Sequence, residues 1–147
     1  MKGSLQICLA VLLLITHRGF AQLKADDIVG TWLTNGKDPA KIEIYRSANK
    51  YYGKIVWLKY PTANGKPKLD KNNPIESKRG QQIIGLLILT GFSFDGDEWE
   101  DGEVYDPESG KKYSCHLSLK DKATLKVRGY VGISLFGRTE VWTRTVL

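Results

Sequence analysis

Cys115 and His116 are neighbours in the chain, and a thiol beside an imidazole is the first pairing that could do covalent chemistry. Successive residues of an extended strand point to opposite faces, so these two side chains cannot meet without a bulge. Cys115 shares its period-two face with Tyr113 and Leu117, which predicts a buried, inert thiol and puts His116 on the wet face. Asp106, between Tyr105 and Pro107, suits a turn into the following strand; its functional alternative is an inward carboxylate facing Arg128. An interior arginine without an acid beside it would point to an anionic ligand, but alternation with Leu125 and Val127 favours the surface for Arg128. The acidic cluster Asp95, Asp97, Glu98, Glu100 and Asp101 resembles part of a calcium loop. Glu100 occupies the sixth position, where such a loop needs glycine, and no glutamate stands at the twelfth, so a charged hairpin tip is the better reading. No catalytic residue, metal site or cofactor is assigned.

The elements that must position these residues are short and extended. Turn signals recur at Asn35-Gly36, Ser47-Ala48-Asn49, Asp95-Gly96, Pro107-Glu108-Ser109-Gly110 and Asp121-Lys122. Between them the spacing predicts strands near 30–35, 40–47, 51–59, 85–94, 98–106, 111–119, 123–131 and 138–145. Ile42 and Ile44 alternate with Lys41, Glu43 and Tyr45, and the segment 111–119 alternates in the same way. Eight short strands joined mostly by tight turns form an antiparallel meander. With one apolar face, such a meander closes into an all-β, eight-stranded, up-and-down barrel and so removes its exposed edges.

The chain has 147 residues, enough for one domain, and 26% charged with 41% hydrophobic residues excludes both a disordered chain and a multi-span membrane protein. Its start is different in kind. Met1-Lys2 is followed by the apolar run Ile7–Ile15, too short to span a bilayer but suited to a signal-peptide core. Gly19-Phe20-Ala21 offers small residues where a signal peptidase reads, so cleavage is expected after Ala21, with a single domain over 22–147. The net charge then falls from +6 to +4, and one cysteine and one histidine remain. That excludes an intramolecular disulfide and a zinc site of the Cys/His kind. A lipoprotein anchor does not fit, because Cys8 lies inside the apolar run. The expected location is the periplasm or outside the cell.

The two ends of the expected domain carry a further pattern. Ile28-Val29-Gly30-Thr31-Trp32 opens the first strand, and Arg138-Thr139-Glu140-Val141-Trp142-Thr143-Arg144 forms the last. The pair resembles the lipocalin-type (calycin) barrel. That resemblance implies that Trp32 closes one barrel end and that a late arginine, Arg138 or Arg144, lies across its ring; sequence alone does not choose between them. More specifically, the chain resembles a family of small exported bacterial proteins, domain of unknown function 2147. The matching stretches include Tyr51-Tyr52-Gly53-Lys54-Ile55-Val56-Trp57, Asp70-Lys71-Asn72-Asn73-Pro74, Tyr105-Asp106-Pro107 and Arg128-Gly129-Tyr130-Val131-Gly132. This resemblance implies export and a lipocalin-like fold, and it carries over no activity.

A barrel of this size holds one small ligand or is filled by side chains. The leading expectation is a small ligand, largely apolar or anionic and amphipathic, against Tyr52, Trp57, Tyr105, Tyr113 and Arg128. The alternative is an envelope structural or interaction protein with a filled interior. Residues 60–81 form a long basic connection, read as a surface excursion or as a rim beside a cavity mouth. Without an aromatic platform beyond Tyr60, it does not suggest nucleic acid. Ile133, Leu135 and Phe136 lie in an unusually apolar hairpin connection, which either stoppers the barrel or contacts the envelope.

Overall fold

The computed structural model describes residues 21–133, 135 and 137–147; the apolar run expected to form a leader core and Phe136 lie outside the described residues. After a 3-10 turn at Ala25–Ile28 come ten strands: β1 (Gly30–Leu33), β2 (Ala40–Ser47), β3 (Lys50–Leu58), β4 (Thr62–Ala63), β5 (Lys66–Pro67), β6 (Leu87–Phe94), β7 (Trp99–Asp106), β8 (Lys111–Asp121), β9 (Thr124–Tyr130) and β10 (Gly137–Thr145). Eight of them close into an antiparallel barrel in the order β1-β10-β9-β8-β7-β6-β3-β2. The seam sets Trp32 opposite Arg144 and Leu33 opposite Thr143, so the first and last strands are neighbours.

Alternation decides which residues go inside. In β2, Ala40, Ile42 and Ile44 are buried while the residues between them are not. In β8, Cys115 and Leu117 are buried, as are Leu125 and Val127 in β9. The apolar run before residue 90 joins the sheet only from Leu87 onward. Gly85 takes φ +94°, and its amide donates to the Ile55 carbonyl at 2.7 Å, so the chain turns there before the ladder begins.

One end of the barrel is solid. Ile28, Trp32, Phe92, Trp99, Leu117 and Leu125 are all fully buried there. Their polar atoms are satisfied: the Trp32 indole N–H donates to the Ile28 carbonyl at 2.9 Å, and that of Trp99 to the Ala25 carbonyl at 3.0 Å. Small residues make the packing possible, since a Cβ at Gly102 would stand 2.4 Å from the Phe92 ring.

The long connection is more ordered than its composition suggests. Asn64 and Gly65, with φ 53° and 72°, turn β4 back onto β5, the left-handed pair that a two-residue hairpin requires. Leu69 then bridges Gln82, and a 3-10 turn spans Glu76–Lys78. Asp70, with no exposed surface, is the hub. Its carboxylate accepts the Tyr105 hydroxyl at 2.7 Å and the Asn73 amide at 2.7 Å. Asn72 also donates to the Glu108 carbonyl at 2.7 Å, clasping the connection to the β7–β8 turn. Gly110 permits that approach, because a Cβ there would overlap the Asn72 carbonyl oxygen.

Candidate functional site

β10 runs the length of the barrel with Arg138, Glu140, Trp142 and Arg144 on its inward side, and these four residues meet different surroundings. At the solid end, the Arg144 guanidinium carbon lies 4.2 Å from the centre of the Trp32 ring. It donates to three backbone carbonyls, of Lys122 at 2.6 Å, Val29 at 2.9 Å and Asp27 at 2.6 Å. A planar fork over an indole face suits arginine in a way lysine cannot match. Gly30 in the Gly-x-Trp motif makes room for it: its φ is +138°, and a Cβ would stand 2.8 Å from the guanidinium. Arg144 therefore covers the plug. Arg138 does not; it lies at the other end, exposed, 3.8 Å from the Glu140 carboxylate.

Toward that other end the barrel opens into a cavity of about 1230 Å³. Ile42, Ile55, Ile88, Val104 and Val127 contribute apolar wall, with Tyr113 and Trp142 among them. The Trp142 indole, almost wholly buried, donates to the Glu140 carboxylate at 3.2 Å. Glu140 is thus a half-exposed carboxylate beside this apolar wall, with Arg138 as its ion-pair partner. Lys37, Asp38, Lys68, Lys71, Glu108 and Val131 border the mouth, so the 60–81 connection serves as part of its rim.

The expected pocket residues separate. Tyr113 lines the cavity. Tyr105 borders it, but its side chain faces away from Val104 and lies beneath the long connection, bonded to Asp70; burial and that carboxylate push its pKa up to about 12. Tyr52, Trp57 and Arg128 are on the outer wall, which corrects their assignment to the pocket. Tyr52 pairs with Tyr45, their rings stacked 5.9 Å apart, on the face opposite Ile42 and Ile44. Trp57 is 38% exposed beneath the Lys41 ammonium, where a register shift between Lys41 and Ile42 offsets the strand. Arg128 faces away from Leu125 and Val127 and donates to the Thr139 hydroxyl at 2.9 Å. The inward aromatics of this stretch are instead Tyr51, whose hydroxyl donates to Asp26 at 2.6 Å, and Trp142.

The groups considered for covalent or metal chemistry do not converge. Cys115 is a free, fully buried thiol whose pKa burial raises to about 12. His116, on the other face, stands 5.8 Å from the Tyr130 ring. The Asp106 carboxylate accepts the Glu108 amide at 2.9 Å and the Ser109 hydroxyl at 2.6 Å, which is turn chemistry. Asp95 accepts the amides of Asp97 and Glu98, both at 2.8 Å, and so shapes the hairpin tip. No group of three potential ligands able to hold a metal occurs among the described residues.

A closed eight-strand antiparallel barrel with an arginine-covered tryptophan plug and an open cavity is a lipocalin-like fold. Residues 30–144 match the family described as uncharacterized protein conserved in bacteria (DUF2147), and the chain belongs to that family. Among solved structures it is similar to protein HP1028 from Helicobacter pylori, described as belonging to the lipocalin family. The TM-score is 0.70 at 20% identity, covering 80% of this chain and 82% of that one, a likeness of fold. No curated protein matches the chain.

Proposed function

We propose that this protein is exported, loses residues 1–21, and carries a small, largely apolar ligand in the open half of its barrel. The observation that carries the reading is the cavity of about 1230 Å³, with isoleucine and valine among its lining and a charged rim. Apolar surface moved from water onto such a wall contributes roughly 25 cal/mol per Å². Glu140, Arg138 and the Tyr113 hydroxyl set where a polar end of the ligand would lie, toward the mouth. The alternative of a filled interior is disfavoured by the same cavity. Export rests on the leader's basic start, apolar core and small-residue site.

Two measurements test this. Mass spectrometry of the purified protein is expected to find an N-terminus at Gln22, and native spectra are expected to show an adduct that leaves on denaturation. A fluorescent fatty-acyl probe should bind the stripped protein and be excluded by Val127→Trp, which places an indole in the cavity. A stripped protein that takes up no acyl, alcohol or isoprenoid probe would end the carrier reading.

A further inference from the structure

The open end carries a surface that ligand uptake does not require. Val131, Ile133 and Leu135, in the β9–β10 connection, are 69, 58 and 76% exposed, an unusual concentration of apolar surface on a hairpin tip. Val131 borders the cavity mouth together with Lys37, Lys68 and Lys71. None of these three lysines is ion-paired among the described residues, where the four pairs use Arg46, Lys54, Lys112 and Arg138.

Charge is also sorted along the barrel axis. The open-end connections (residues 34–39, 59–86, 107–110, 131–133 and 135) hold seven Lys or Arg against four Asp or Glu. The closed-end segments (21–29, 48–49, 95–98 and 122–123) hold two against five. We propose that the open end docks on an anionic lipid bilayer. Ile133 and Leu135 enter the headgroup region, with Val131 at its edge, and Lys37, Lys68 and Lys71 meet lipid phosphates. An acidic bilayer complements this surface twice, by sign and by apolar depth. The open end of a second copy would set like charges face to face. Its closed end has the right sign and exposes Val29, with Val146 and Leu147 just past Thr145, so self-association through that end is the competing outcome that the test separates. The docking is independent of ligand uptake, although it would point the cavity mouth at the membrane.

Vesicle co-sedimentation tests it, with all variants compared at one N-terminus so that any leader contributes equally. The protein should sediment with phosphatidylcholine/phosphatidylglycerol vesicles, not with phosphatidylcholine alone, and added salt should release it. The double variant Ile133→Asp/Leu135→Asp and the double variant Lys68→Glu/Lys71→Glu should each weaken binding about ten-fold or more. Lys122→Glu, at the closed end, should leave it unchanged. Four of the five positions are exposed and Lys68 is half-buried, and an unaltered thermal transition would show that the variants fold. Equal sedimentation with both vesicle types would overturn the proposal, as would indifference to the tip variants. So would concentration-dependent self-association that Leu135→Asp abolishes while no vesicle binds. Probe uptake without vesicle binding would remove the docking alone; the reverse would remove the carrier reading alone.

Discussion

The two ends of this barrel are built by the same eight strands to opposite specifications. At the closed end six large side chains have no exposed surface, and each indole or guanidinium there bonds to a backbone carbonyl. At the open end the inward isoleucines and valines line a cavity, and charged residues ring the mouth. Stability is therefore concentrated at one end, which leaves the other free to be hollow. Substitutions should divide along the same line: closed-end changes alter the unfolding midpoint, open-end changes alter what binds.

The largest effect is expected from Trp32→Ala. It removes a fully buried indole and uncovers Arg144, and should cost about 3–5 kcal/mol in urea denaturation. Arg144→Met should follow at roughly 2–3 kcal/mol, because it strands carbonyls that now accept from the guanidinium. Arg138→Ala, on the same strand face at the open end, should stay within about 0.5 kcal/mol. Equal costs for the two arginines would erase the distinction between the ends.

The clasp of the long connection comes next. Tyr105→Phe leaves a fully buried Asp70 oxygen without its hydroxyl donor, for a cost of about 1–3 kcal/mol. Tyr51→Phe removes a similar bond, but to Asp26, an exposed carboxylate that water can serve, so its loss should be smaller. Both tyrosines have folded pKa values raised to about 12 from 10, Tyr51 chiefly by desolvation with the Asp26 hydrogen bond adding. A raised pKa means that the unfolded chain releases the proton first. The stability these groups provide is complete below pH 10 and is lost as pH rises toward 12. Alkaline denaturation should steepen over that window, and the double variant Tyr51→Phe/Tyr105→Phe should flatten it.

The barrel was legible because its strands alternate and its turns are chemically distinct; Ile42 and Ile44 need no tertiary information to declare a buried face. The closing contact was half legible. Gly30 and Trp32 resemble a known pattern, but Arg138 and Arg144 share a strand face, and only the barrel's closure decides which one reaches the indole. Pocket aromatics failed where a one-residue offset reverses the face. Tyr51 and Tyr52 are equally good strand residues, and the register with β2 sends Tyr51 inward and Tyr52 out. Glu140 could have been found, since it stands two residues before Trp142 on what must be the same face. Asp70 could not, because its partner Tyr105 lies 35 residues away and nothing local marks the pair.

The smallest expected change in stability lies in the open half, at Glu140. Its carboxylate accepts the Trp142 indole N–H at 3.2 Å, and a glutamine amide oxygen can accept the same bond, so Glu140→Gln should leave the unfolding midpoint within about 0.5 kcal/mol. What changes is the charge that faces the cavity, since the glutamine is neutral and leaves Arg138 without its carboxylate partner. A negative charge some 8 Å from a ligand carboxylate, in a half-solvated cup, opposes it by about 1 kcal/mol, or roughly five-fold in affinity. Glu140→Gln should therefore strengthen binding of a fatty acid by about that factor while leaving the matching fatty alcohol unchanged. If both probes gain or neither does, the polar end of the ligand does not sit near Glu140. The cavity would then hold its ligand by apolar contact alone, with the head group out among the lysines of the rim.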